Sequence, residues 1–176
     1  LSINMIRELY DECPSARILL MSGMESATVR HRIQSALPVE VERQVLVYFG
    51  NIESIEELQR LNIESAIEVY VLGDEERYGR DAKNIAIVHL VSTLRGKCYD
   101  GKMMPVYVQF DSIPSYSNIQ KMNLPPEVFC IEGKPNIFFR PFNLHENLAR
   151  QLWSLYGADC ERRYDPLDYR PISITQ

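Results

Sequence analysis

Val45-Leu46-Val47-Tyr48-Phe49-Gly50-Asn51, then Ser54-Ile55-Glu56-Glu57-Leu58, then Val69-Tyr70-Val71-Leu72-Gly73-Asp74, is the stretch on which the fold turns. Both apolar runs are short and rich in β-branched and aromatic residues, the pattern of strands buried on both faces. Between them Ser54 and Glu57 form a capping box. Its hydroxyl and carboxylate take up backbone N–H groups that a first helical turn leaves without partners, so a helix is expected over 54–61. Strand, capped helix and strand in that order make a βαβ unit, whose right-handed crossover leaves the two strands parallel. A hairpin joining the two runs would require the capped helix to be absent.

Working outward, the runs Ile18-Leu19-Leu20-Met21, Val106-Tyr107-Val108 and Ile137-Phe138-Phe139 read as further strands. Helical spacing covers 25–37, 81–94 and 143–156. Ile87, Leu90, Val91 and Leu94 make an apolar stripe in one of these helices. Leu144, Leu148, Leu152 and Leu155 make one in the last, which Asn143 with Glu146 would open and Gly157 would close. This alternation predicts a three-layer α/β Rossmann-like domain with a mainly parallel sheet, built from five strong strands and a weak one near Val39. The expected division is an N-terminal extension over 1–15, the domain over 16–157, and a C-terminal arm or linker to a missing domain over 158–176. The segment 111–135 contains Pro114, Pro125, Pro126 and Pro135, so it is expected to be an irregular excursion with at most a short helix.

Composition narrows the function. The chain has 176 residues, a net charge of −5 and 45% hydrophobic residues, enough for one substantial core. Asp and Glu number 24 against 19 Lys and Arg, a poor match to a phosphate backbone, so nucleic acid is not an expected partner. The most apolar run, 85–91, is interrupted by His89 and is far short of the ~20 residues a membrane-crossing helix needs. Cys13, Cys98, Cys130 and Cys160 are too widely spaced for a CxxC pair and are expected as reduced thiols in a cytoplasmic setting. The chain opens on Leu1 rather than Met, from which a longer parent protein is expected.

Gly23, Gly50 and Gly73 each follow an expected strand. Ligands of open parallel sheets bind over the carboxyl ends of the strands, where a residue without Cβ permits a sharp turn or a close approach. Plain turns would explain any one of these glycines. Together Ser22-Gly23, Gly50-Asn51 and Gly73-Asp74 mark a candidate ligand rim. The first turn, Ser22-Gly23-Met24-Glu25-Ser26-Ala27, keeps one glycine of G-x-G-x-x-G, and Glu25 sets a negative charge where a pyrophosphate would lie. Between the first helix and Val45 there is room only for a strand such as 39–41, with no acidic residue placed to hold a ribose.

Other chemistry is poorly represented. The string 96–103 imitates a phosphate-binding loop but ends on Met103 where Ser or Thr must ligate Mg²⁺, and it follows a helix instead of a strand. No G-x-S-x-G elbow or cysteine motif is present. His31, His89 and His145 form no cluster in sequence, and His89 is expected as a core or boundary side chain. The acidic runs 53–57 and 74–76 read as solvated helix starts.

The order Tyr48-Phe49-Gly50-Asn51, Ser54, Leu58, Leu61-Asn62-Ile63, Ala66, Val69-Tyr70-Val71-Leu72-Gly73-Asp74 and Asn84, with Arg140-Pro141-Phe142 near the end, resembles the TrkA-N or RCK domain. That family comprises Rossmann-type modules that regulate potassium channels and transporters. The resemblance spans about residues 16 to 156 and is strongest from Gly50 to Asn84. It implies a non-catalytic, nucleotide-sensing regulatory domain at the cytoplasmic face of a membrane, controlling potassium or other cation transport through a membrane transport domain. It also implies NAD(H) or another adenine nucleotide lying across Ser22, Gly23, Gly50, Asn51, Gly73 and Asp74, and pairing into a homodimer. The depleted glycine turn, and Asn51 where the family often has an acidic residue, imply a ligand that is altered or lost. Two alternatives remain at this stage: an NAD(P)-dependent oxidoreductase, for which no hydride-handling group or substrate domain is evident, and a ligand-free interaction scaffold. Candidate pairing surfaces are Trp153, the lone tryptophan and off the Leu144 stripe, with the tail from Tyr164 as its other cover, and the proline-rich excursion with Tyr116, Met122 and Leu124.

Overall fold

A computed structural model describes residues 2–73, 80–97, 102–122, 130–131, 134–143 and 147. The fold is α/β with parallel strands, in keeping with a Rossmann-like layout. The chain divides into two compact units, Leu1–Leu61 and Asn62–Gln176.

The first unit contains helix α1 (Ser2–Glu12), strand β1 (Ile18–Ser22), helix α2 (Ser26–Ala36), the single turn α3 (Val39–Glu42), strand β2 (Val45–Phe49) and helix α4 (Ile55–Arg60). β1 and β2 run parallel, with Ile18 opposite Val45 and Ser22 opposite Phe49. Because side chains alternate along a strand, Ile18, Leu20, Val45 and Val47 share one face. They pack against Ile6 of α1, Val29 and Ile33 of α2, Leu37, and Val41 of α3. Val29, Ile33 and Leu37 recur every four residues, which places them on one side of the helix and its exit. The Leu37 N–H closes the helix on the Ile33 carbonyl, and Pro38, without an N–H of its own, ends it.

The second unit opens with a 3₁₀ turn (Ile63–Ser65), followed by β3 (Val69–Val71), α5 (Arg80–Lys97), β4 (Met104–Gln109), α6 (Ile113–Met122), the short strands β5 (Cys130–Ile131) and β6 (Lys134–Pro135), and β7 (Ile137–Phe142). β3, β4 and β7 form a parallel sheet in that order, while β5 and β6 make a two-residue antiparallel pair. Val71 of β3, Met104, Val106 and Val108 of β4 and Ile137 of β7 form one core with Ile87, Val88 and Val91 of α5 and Tyr116 of α6. Val88, Val91, Val106 and Val108 are fully buried, each worth about 1.5–3 kcal/mol of transfer free energy. Arg95, at the far end of α5, donates to the Glu64 and Lys102 carbonyls and so ties the 3₁₀ turn to the approach of β4. The opposite face of this sheet carries Tyr70 stacked on Tyr107, with centroids 4.6 Å apart, and Arg140 lying 3.9 Å from the Phe138 ring centroid.

Several expectations need correction. The segment 39–41 is not a weak strand but part of a helical turn, because Pro38 stands at its N-cap and Val41 turns inward between α1 and α2. The segment opening at 111 is more regular than its prolines suggested. α6 runs for 10 residues, and Pro114 sits in its first turn, where a missing N–H costs nothing. The strands are not all buried on both faces: Leu19 is 45%, Leu46 54% and Phe49 59% exposed. For Leu19 and Leu46 the reason is local, since α1, α2 and α3 all collect on the other side of the β1–β2 pair; Phe49, the last residue of β2, alternates onto the face of Val45 and Val47. His89 is exposed instead of lining the core. Tyr116, expected on a pairing surface, is 1% exposed inside the second core. α1, expected as part of an appended extension, contributes Ile6 to the core of the first unit. Apart from residues 143 and 147, the helix expected over 143–156 lies outside the described residues, as do Trp153, Leu124 and the tail. Among those described, no helix is long and apolar enough to cross a membrane.

Candidate ligand-binding rim

In the first unit the parallel register brings two of the expected turns side by side. β1 ends at Ser22 opposite Phe49, and the next residue of the second strand, Gly50, donates its N–H to the Ser22 carbonyl at 3.1 Å. Ser22-Gly23 and Gly50-Asn51 therefore sit together at the carboxyl ends of β1 and β2, the position at which parallel α/β sheets receive ligands. The Ser22 hydroxyl accepts from the Met24 N–H at 3.1 Å and folds the chain toward α2. A Cβ on Gly23 would meet nothing within 4 Å, so the space beside this turn is open. α2 begins after Glu25, whose side chain makes no capping bond, and its first backbone bond is from Val29 N–H to the Glu25 carbonyl at 3.2 Å.

The Gly50 turn is closed by its own helix. Ser54 accepts from the Glu57 N–H at 3.3 Å, which is half of the expected capping box. The other half is redirected: the Glu57 carboxylate accepts from the Asn51 N–H at 2.9 Å. In doing so it crosses directly over Gly50, where a Cβ would collide with that carboxylate and with the Tyr48 ring. Gly50 is needed for this close approach. The Asn51 side chain accepts from the Glu53 N–H at 3.0 Å and its carbonyl from the Ser54 N–H at 3.0 Å, completing the turn into α4. Glu56 is held below its ordinary glutamate range, first by a hydrogen bond to its own backbone N–H and then by the Ser54 hydroxyl, which together outweigh an opposing effect of burial; Arg60 adds the smallest contribution, in the same lowering direction. The Ser54–Glu56 bond is 2.8 Å.

In the second unit the strand ends are occupied by a polar network. The Gly73 N–H donates to the Gln109 side-chain oxygen at 3.2 Å, and the Gln109 amide donates to Asp111 at 2.7 Å. Arg80 pairs with Asp111 at 2.7 Å. Asp81, in the first turn of α5, accepts from the Asp111 and Ser112 N–H groups at 3.0 and 3.3 Å. Two buried amides finish the network: Asn84 donates to the Gln109 carbonyl at 2.8 Å, and Asn143 to the Phe110 carbonyl at 2.8 Å. Buried backbone carbonyls need such partners. This interlock joins the exits of β3, β4 and β7 to the start of α5.

Of the six residues expected at the rim, Ser22, Gly23, Gly50 and Asn51 come together in the first unit. Gly73 belongs to the second, where its N–H is held by Gln109, and Asp74 lies outside the described residues. The sequence reading missed Glu57 as part of the rim, and missed Gln109, Asp111, Arg80, Asp81 and Asn143. Their signal was a polar residue at each strand exit or first helical turn, a position that capping alone already explained. Among the described residues no group of three or more His, Cys, Asp or Glu is arranged to hold a metal ion. Cys13 is free and exposed. Comparison with protein-family models, with curated proteins and with solved structures finds no match.

Proposed function

We propose that this chain is a non-catalytic regulatory module of the TrkA-N/RCK kind, sensing a nucleotide or related small anion at the strand ends of its first unit. The observation that supports this reading is the pairing of Ser22-Gly23 with Gly50-Asn51 beside open space and a helix start that no side chain caps. In the proposed pose, phosphate oxygens lie toward the first turn of α2, where backbone N–H groups and the helix dipole favour an anion. The ribose hydroxyls lie toward Glu57, whose carboxylate is an acceptor. Glu25 and Glu57 both lower the affinity for phosphate, so NAD(H) or another adenine nucleotide would bind weakly, and the ligand of this chain is altered from the family's or lost. The proposed setting is cytoplasmic, next to a membrane transport domain carried elsewhere in a longer protein, with the module acting as a homodimer.

A second reading, a ligand-free interaction scaffold, is favoured by the exposed Leu46 and Phe49. Thermal unfolding with a panel of adenine nucleotides separates the readings. A ligand at a hundred times its dissociation constant should add about 2.7 kcal/mol. Gly23→Asp should abolish that gain without lowering the melting point of the unliganded protein, because a side chain there meets no neighbour. Glu25→Gln should enlarge it by removing a like charge. No gain with any nucleotide would leave the scaffold standing, and sustained oxidation of NAD(P)H with a substrate would replace both readings with an oxidoreductase.

A further inference from the structure

We draw no further inference here: the strongest candidate, the face of the β3–β4–β7 sheet opposite its helices, where Tyr70, Tyr107, Phe138 and Arg140 lie, carries nothing because the rings are already stacked on one another or capped by Arg140 and nothing in the structure shows what covers them.

Discussion

Replacing Asp81 by alanine tests whether the strand ends of the second unit are held by the network or by the apolar core alone. Its carboxylate accepts from two consecutive backbone N–H groups, Asp111 at 3.0 Å and Ser112 at 3.3 Å. Both lie in a partly buried turn between β4 and α6. A stranded donor costs about 1–3 kcal/mol when buried; with partial exposure and one long bond, about 2 kcal/mol is expected for the pair. Loss of a carboxylate from the first turn of α5 adds about 0.3–1 kcal/mol through the helix dipole. For a unit the size of Asn62–Gln176, the combined loss lowers the melting temperature by roughly 8–12 °C. Asp81→Asn separates the causes: it keeps one acceptor oxygen and should recover about half of the loss. Thermal unfolding followed by circular dichroism gives the shift, and hydrogen exchange should show faster exchange at the Asp111 and Ser112 amides in Asp81→Ala. An unchanged melting temperature, or a shift without faster exchange at those two amides, would refute the assignment of Asp81 as the clamp of this turn.

Gly50→Ala should cost about 1 kcal/mol, because its Cβ displaces the Glu57 carboxylate from the Asn51 N–H; in urea titrations the loss should shrink when Glu57→Ala is already present, and full additivity would mean that the two residues are not coupled. Glu56 has a lowered folded-state pKa, so its stabilising contribution is present above the ordinary glutamate range and is lost as pH falls through the folded value. Glu56→Gln should therefore narrow its gap to the parent on acidification, and a constant gap in melts across that range would contradict it. Leu46 points away from the first core and is 54% exposed, so Leu46→Lys should change stability by no more than about 0.5 kcal/mol. A loss of several times that, or a change of molecular mass in light scattering, would show that this face is buried against a partner in solution.

The fold was legible in the sequence because its strongest signals were local and periodic. Val45–Phe49 is a strand with the expected bounds, and Ser54 does cap α4. β1 through β4 and β7 all occur, and the pairs β1–β2, β3–β4 and β4–β7 are parallel because each of these crossovers holds a helix or a helical turn. The strands nevertheless fall into two parallel sheets rather than one: β2 and β3, expected as the parallel pair of one βαβ unit, do not pair with each other. The misreadings arose where a local pattern had two physical outcomes. Val39-Glu40-Val41-Glu42 alternates like a strand, yet Pro38 before it and a buried place for Val41 make one helical turn. Leu19 and Leu46 looked like two-sided burial because apolar runs do not reveal on which side the helices of a unit collect.

The candidate site was half legible for a related reason. Glycines after strands announce a rim, and four of the six expected residues meet there. What distinguishes this rim from a dinucleotide site is a long-range choice that sequence spacing does not encode. The capping box predicts that Glu57 bonds back to Ser54, three residues away; instead its carboxylate reaches Asn51, six residues away, and passes over Gly50. That reach depends on two facts seen only in three dimensions, namely that Gly50 leaves room and that β2 ends where α4 can look back on it. One carboxylate thereby braces the helix start and, in the proposed site, would be the charge facing a ligand at the strand ends. A fully anionic ligand would have to approach against it, whereas a ligand presenting hydroxyls on that side would gain an acceptor. The same bond that orders the turn thus sets the polarity of the proposed binding surface.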